Sequence, residues 1–282
     1  MTRYLFYKLK GLASDRSVLF WSVGFMLFWA VMWVYVFTRV DEPRPPREVL
    51  EYVFKVNAAL AYTYLGVLSM GSLAIGLTQH KLVSSSAAAF AVRFTKLKPF
   101  RYMLEDFVAA VVALVYYVSV TVSAVICLTY LRFKVVALPE KPLELLAYML
   151  LAGFTWYWLS YLLSLVMLVL RKPRSQPLGM IPLIVGFGIY STLWLDPGSV
   201  VYVIPVAPLA PLIVSAASGV KPVTGGWFYA QPWRVSGANV TTIEPPLALA
   251  ATCAWVFLLA LTSLLLMRRV SGVPVEEAVQ TG

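Results

Sequence analysis

Long apolar runs alternate with short polar segments along the whole chain. A helix rises about 1.5 Å per residue and the hydrocarbon core of a bilayer is about 30 Å thick, so about 20 apolar residues suffice to cross it. Six runs approach or exceed that length: 17–38, 56–78, 107–131, 145–170, 178–195 and 247–267. The pattern predicts an all-α membrane protein whose six transmembrane helices form a single transmembrane domain over residues 1–282.

A further apolar stretch, 199–220, is interrupted by proline. Pro205, Pro208 and Pro211 each remove a helical hydrogen bond, and lipid offers no replacement donor. We therefore expect a re-entrant hairpin, shielded by protein, within an external region of about 197–245 between the fifth and sixth spans. A seventh span is the alternative.

The N-terminal segment, residues 2–14, has the pattern of a helix lying in the membrane interface. Its leucines recur at helical spacing, and its basic residues are expected to point away from that stripe. The leucines are Leu5, Leu9 and Leu12, and the basic residues are Arg3, Lys8 and Lys10.

A second amphipathic segment, 84–98, follows the second span. Ser84 to Ser86 are candidate N-cap residues, and Pro99 is expected to stop the helix. Phe90, Phe94 and Leu97 repeat at i, i+4 and i+7, so one face is apolar. This pattern suits either a helix resting on lipid or a docking helix for a cytoplasmic partner.

Composition supports a membrane location and an orientation. Hydrophobic residues make up 60% of the chain and charged residues 13%, against about 25% charged in soluble domains. With six spans, the N-terminal side receives fourteen of the 23 basic residues and five of the 13 acidic ones. The positive-inside rule then places both termini in the cytoplasm and explains the net charge of +10 without nucleic acid.

Several kinds of chemistry are excluded. The middle of each predicted span lacks ionisable residues, which argues against ion-coupled transport. A single histidine, His80, rules out a bis-histidine haem and an HExxH metalloprotease, and the chain has no phosphate-binding loop. The two cysteines, Cys127 and Cys253, form no metal-binding pattern. We expect no catalytic residue and no metal site.

Two minor sets of residues remain as candidates. Aromatic side chains within or beside the spans are candidates for a substrate path: Tyr62, Tyr64, Tyr190 and Trp194. Asn239 begins the sequon Asn239-Val240-Thr241, so it is a candidate glycosylation site.

The small number of Asn and Gln residues points to a thermophilic source.

The layout resembles the ABC-2 type permeases, the membrane subunits of ATP-binding cassette exporters. Four features carry the resemblance over most of the chain: the amphipathic N-terminal helix, a basic segment ending at a proline before span three (89–102), the short loop 171–177, and the proline-broken external hairpin. The long, Trp-rich second half of the external region departs from this layout.

The resemblance implies alternating access in a dimer of two permease chains in the cell membrane of a prokaryote. Two separate ATPase subunits would bind ATP and Mg, so this chain would hold no cofactor and hydrolyse nothing. Uncharged spans suit export of a lipid, a lipid-linked glycan or another amphipathic compound. The docking contacts with the ATPase are expected at Phe90, Arg93, Phe94, Lys96, Leu97, Lys98 and Arg101.

Two other functions stay open. The chain could be a non-transporting anchor or scaffold subunit of a respiratory or assembly complex. An intramembrane lipid-modifying enzyme would need a polar cluster at an interface, for which Glu105 and Asp106 with Lys98 and Arg101 are the candidates.

Overall fold

The computed structural model describes residues 3–38, 47–94, 99–170, 176–225 and 240–267, and these are predominantly helical. Helix α1 (Arg3–Ser14) ends at Asp15, whose backbone is extended at φ −77° and ψ 114°. The Asp15 carboxylate accepts hydrogen bonds from the amides of Ser17 and Val18, at 2.8 and 3.2 Å, so it caps the next helix.

The first two spans are long helices that contain π-helical turns. The first runs continuously over Arg16–Phe37 and consists of α2 (Arg16–Leu19), a π turn (Phe20–Gly24), α3 (Phe25–Met32) and a second π turn (Trp33–Phe37). The second consists of α4 (Arg47–Tyr64), a π turn (Leu65–Ser69) and α5 (Met70–Phe94). Such turns widen a helix locally by one residue.

The remaining elements are mostly helical. In chain order they are α6 (Pro99–Phe133), α7 (Pro142–Val169), α8 (Gln176–Ser191), a 3₁₀ turn (Gly198–Val203), α9 (Leu209–Ser218), the short strands β1 (Val223–Thr224) and β2 (Thr241–Thr242), and α10 (Pro245–Met267). The strands pair antiparallel, with Val223 opposite Thr242 and Thr224 opposite Thr241.

Five helices in the described part of the chain are long and apolar enough to cross a membrane: Arg16–Phe37, Glu51–Leu82, Phe100–Phe133, Pro142–Val169 and Pro245–Met267. The expectation of an all-α membrane protein is thereby supported. The predicted fifth span corresponds to α8, which is 16 residues long and contains Pro182. At about 1.5 Å per residue it is somewhat shorter than the hydrocarbon core.

The central helix of the bundle is Glu51–Leu82, whose most apolar segment is entirely buried by other helices. Its neighbours face outward and leave large side chains uncovered. Phe28 is 58% exposed and Phe257 is 66% exposed. Leaving such a side chain in water would forgo about 1.5–3 kcal/mol each, so the outer surface of the bundle suits lipid.

One end of the bundle, which we call the hairpin end, is defined by contacts between loops and helix termini. Lys55 of α4 donates to Glu140 at 2.5 Å, and the backbone amide of Lys141 donates to the carbonyl of Ala216 near the end of α9. The carboxylate of Asp196, after α8, accepts hydrogen bonds from the hydroxyls of Thr224 and Thr241, beside the start of α10.

A glycine is required where this end closes. Gly225 has φ +68°, and a Cβ added there would lie 2.5 Å from the Cβ of Asp196. Only a residue without a side chain fits both the left-handed backbone and the close approach.

Helix α9 is buried although it is only ten residues long. Eight of its residues, including Pro211, pack inside the protein, mainly against α4 and α7. Gly219 follows in the left-handed conformation at φ +75°, and its amide donates to the carbonyl of Ser215. The stretch 199–220 therefore contains a short buried helix, and the prolines fall at or before its first turn.

Two local expectations are corrected, one on residues 84–86 and one on Lys8. Residues 84–86 do not cap a new helix, because α5 continues through them from Met70 to Phe94, and the Ser85 hydroxyl donates to the carbonyl of Leu82. Pro99 begins α6, where its missing N–H costs nothing. That it stops the preceding helix stays a prediction, because residues 95–98 lie outside the described residues. Lys8 does not point away from the leucine stripe of α1 but into the bundle, where it is 8% exposed.

Candidate functional site

The most polar buried site of the described chain surrounds Asp106, near the start of α6. This carboxylate is 2% exposed and contacts two ammonium groups. Lys8 of α1 lies 2.9 Å from Oδ1, and Lys81 of α5 contacts Oδ2. The hydroxyl of Tyr157 on α7 donates to Oδ2 at 2.7 Å. We call these four residues the ion cluster, and the end of the bundle that holds it the cluster end.

Helical spacing places these groups together. Asp106 lies on the face of α6 that also carries buried Tyr102 and Ala110, one turn to each side. Tyr157 and Tyr161 are one turn apart on α7, and Lys81 lies over both rings at 4.8 and 4.1 Å from their centroids. Such cation–π contacts contribute about 2 kcal/mol when they are desolvated.

The cluster holds two cations for one anion. Burial disfavours the charged ammonium of Lys8, yet the Asp106 carboxylate and Tyr102 together outweigh this and raise the pKa of Lys8 above its ordinary value. Removing one partner of a buried ion pair costs about 3–5 kcal/mol, because the other charge is left without compensation. Asp106 is therefore the residue on which the other charges depend.

A second polar contact joins the α1–α2 corner to the same part of α5. Nδ1 of His80 lies 2.7 Å from Oδ2 of Asp15, and the Ser17 hydroxyl donates to the side chain of Gln79. Although partial burial opposes ionisation, the His80 contact and the backbone amides of Val18 and Ser17 lower the pKa of Asp15. His80 lies near the end of the second span.

The site binds helices together and has little room for a ligand. A cavity of about 10 Å³ adjoins Lys8, His80, Lys81, Asp106 and Tyr157, which is space for roughly one water molecule. Within the described residues no group of three or more His, Cys, Asp or Glu side chains could hold a metal ion. The arrangement is suited to joining α1, α5, α6 and α7 at one point.

The structure only partly covers the predicted docking residues. The backbone of α5 extends 12 residues past Leu82, to Phe94, and we call residues 83–94 the α5 extension. Two parts of this set lie outside the described residues: the side chains of Phe90, Arg93 and Phe94, and the whole of Lys96, Leu97 and Lys98. Arg101 is 61% exposed and donates to Glu105, one turn later on α6, at 3.0 Å.

Three of the four residues of the predicted substrate path lie together. The rings of Tyr64 and Tyr190 are 4.9 Å apart, and Trp194 is 5.9 Å from Tyr190. Trp33 packs against the same group, with its ring centroid 5.2 Å from that of Tyr64. Tyr62 lies on the opposite face of α4 and donates to the carbonyl of Ala137 at 3.2 Å. A role for these rings in a path remains a prediction.

The sequon is also only partly described. Asn239 lies outside the described residues, whereas the Thr241 hydroxyl donates to Asp196 at 2.9 Å within the hairpin end. The third residue of the sequon is thus engaged in the folded protein.

The ion cluster was missed from the sequence, although one signal was present. Lys8 occupies a position on the leucine stripe of α1, three residues after Leu5 and four before Leu12. A lysine on the apolar face of a short helix indicates a buried acidic partner. The sequence groups Asp106 with Glu105, Lys98 and Arg101 as a candidate enzyme site, whereas the structure pairs it with Lys8 and Lys81.

Comparisons with known proteins add no relative. No protein-family model, no curated protein and no solved structure matches this chain.

Proposed function

We propose that this chain is the permease subunit of an ATP-driven exporter of the ABC-2 type. It moves a lipid, a lipid-linked glycan or another amphipathic compound across the cell membrane of a prokaryote by alternating access. It works with a second permease chain and with a separate ATPase subunit that binds ATP and Mg.

The observation that carries this proposal is the α5 extension. The buried central helix of the bundle continues past the ion cluster as far as Phe94 without a break, and α6 returns toward the bundle from Pro99. A rigid helix that is continuous with the central span transmits a displacement applied at its far end. Such an extension gives an ATPase at the membrane surface a direct mechanical connection to the core.

Contacts at the two ends of the bundle support six crossings. Helix α8 starts seven residues after α7 ends, and it leads to Asp196 at the hairpin end, beside the start of α10. It therefore runs between the two ends of the bundle, antiparallel to α7. With the positive-inside rule, six crossings put the cluster end, both termini and the α5 extension in the cytoplasm.

The buried position of α9 supports a re-entrant hairpin on the opposite side. Its C-terminal carbonyls pair with the backbone amides of Glu140 and Lys141 at the hairpin end, and a helix of ten residues is too short to cross the membrane. Irregular backbone at membrane depth is tolerated where protein surrounds it.

The test is affinity purification of the chain in mild detergent from its native membrane, followed by an ATPase assay of the purified material. We expect an ATPase subunit to co-purify. Phe94→Asp on the α5 extension should reduce its recovery about tenfold or more, since interface energy concentrates in a few apolar or aromatic anchors.

The matched control is Leu138→Asp, which introduces the same charge at a 59% exposed apolar residue near the hairpin end. It should leave the ATPase bound. If no ATPase is recovered even with the unmodified chain, the exporter proposal is wrong and the anchor function becomes the better one.

A further inference from the structure

The N-terminal helix α1 contributes the dispensable charge of the ion cluster. Asp106 pairs with Lys8 of α1 and with Lys81 of α5. If α1 leaves, Asp106 keeps Lys81 and the Tyr157 hydroxyl as partners, and Lys8 regains water. Lys81 and Asp106 cannot leave the cluster in this way, since both belong to spans of the bundle.

We propose that α1 is a releasable helix with two positions. In the docked position it lies on the bundle with Lys8 at Asp106, and in the released position it lies on the surface of an anionic bilayer. This inference does not depend on the transport function, because it concerns only the contact between α1 and the bundle.

The connection to α2 allows such a movement. Only Asp15 separates the two helices, and its backbone is extended. Its hydrogen bonds to Ser17 and Val18 belong to the cap of α2 and do not require α1 to be docked. A change in backbone angles at this one residue redirects α1 while α2 stays capped.

The two faces of α1 fit a lipid surface. Phe6 and Tyr7 are 57% and 67% exposed on the outer face, with exposed Lys10 nearby. Release would uncover Leu5, Leu9 and Leu12, which water disfavours and a bilayer accepts. Aromatic rings at headgroup depth and lysines beside anionic phosphates are the usual contacts of an interfacial helix.

Asp106 and an anionic bilayer compete for Lys8, and this competition determines whether α1 is docked or released. Docking places an excess positive charge beside Asp106, whereas an anionic membrane attracts each lysine near its surface. The fraction of docked α1 should therefore fall as the fraction of anionic lipid rises.

The test is a spin–spin distance measurement on the full chain in lipid nanodiscs. Labels are attached to Phe6→Cys on α1 and Leu104→Cys, a 50% exposed residue on α6, after Cys127 and Cys253 are replaced by serine. In discs of phosphatidylcholine we expect one short distance. In discs containing phosphatidylglycerol we expect a second, longer distance.

Lys8→Gln should lower the ratio of docked to released α1 about tenfold in phosphatidylcholine, the effect of losing one charge-assisted contact. The reduction should be smaller with phosphatidylglycerol, where the substitution also removes the attraction of Lys8 to the anionic surface. Lys10→Gln is the matched control, since it removes the same charge from the same helix outside the cluster, and it should keep the short distance in phosphatidylcholine. The proposal is overturned if the distribution of spin–spin distances does not change with the lipid charge, or does not change with Lys8→Gln. The lipid comparison uses Lys8 intact, so a folding defect of the variant does not affect it.

Discussion

At the residue scale, Asp106 should matter far more for stability than either cation does alone. Asp106→Asn leaves two buried ammonium groups without a counter-charge, and we expect a loss of about 3–5 kcal/mol in free energy of unfolding. Lys8→Gln leaves the Asp106–Lys81 pair in place, and its cost should be about 1–3 kcal/mol. Thermal unfolding in detergent, monitored by circular dichroism, shows which of the two variants is less stable.

The double variant Lys81→Met with Asp106→Leu is the control for this prediction. It removes the two charges of the ion cluster that belong to the spans and leaves only Lys8 of α1, so part of the stability lost in Asp106→Asn should return. Equal melting temperatures for Asp106→Asn and Lys8→Gln would show that the carboxylate does not hold the cluster together.

The residue scale is also where the sequence was least informative. Helical periodicity predicted the leucine stripe of α1 correctly, but assigning Lys8 to the other face rested on its charge alone. Its partner Asp106 lies far along the chain, and spacing within one helix gives no information about a contact between helices. By contrast, Gly225 is a glycine because Asp196 approaches it, which only the folded hairpin end reveals.

At the element scale, the crossing of α5 and α8 depends on the absence of a side chain at Gly71. A Cβ there would lie 2.9 Å from the carbonyl oxygen of Pro182, a backbone atom that cannot turn aside. Gly71→Ala should separate the two helices and reduce the free energy of unfolding by about 1–3 kcal/mol, as overpacked cores do. Thermal unfolding of the purified protein measures this loss.

Gly188→Ala on α8 is the matched control. No atom lies within 4 Å of the added methyl group, so the higher helix propensity of alanine should leave stability unchanged or raise it by up to about 1 kcal/mol. If Gly71→Ala melts at the same temperature as Gly188→Ala, the close approach at Pro182 does not limit this crossing.

Hydropathy predicted the elements well and their ends poorly. Five of the predicted spans coincide with helices able to cross the membrane, because a run of about twenty apolar residues forms few structures other than a membrane-spanning helix. The ends were misjudged where a helix continues beyond the apolar run. Helix α5 extends to Phe94 because nothing after Leu82 breaks it, and Ser84 to Ser86 are accommodated within the helix. A polar composition marks the edge of lipid and does not by itself mark the end of a helix.

At the scale of the whole molecule, six crossings remain a prediction, for which the sequence and the structure give separate arguments. The charge distribution along the chain favours six crossings with both termini on the basic side. The structure adds that α8 connects the two ends of the bundle, although it is shorter than the other spans. Neither argument uses the other, since the first counts charges in loops and the second follows contacts of Asp196, Glu140 and Lys141.

Accessibility labelling of single cysteines tests this topology. In a background where Cys127 and Cys253 are replaced by serine, Ser14→Cys and Thr281→Cys should react with a membrane-impermeant maleimide only from the cytoplasmic side. Leu138→Cys, at the hairpin end, should react only from outside.

Thr281 decides whether the number of crossings is even or odd. An odd number places it opposite Ser14, whereas six crossings place the two on the same side. External labelling of Thr281 with cytoplasmic labelling of Ser14 would mean an odd number of crossings, so that either α8 does not cross or the stretch 199–220 crosses as well. It would also move the C-terminus to the side of the hairpin end. Reversed labelling at all three positions would instead keep six crossings and put the cluster end outside, where the α5 extension could not meet an ATPase.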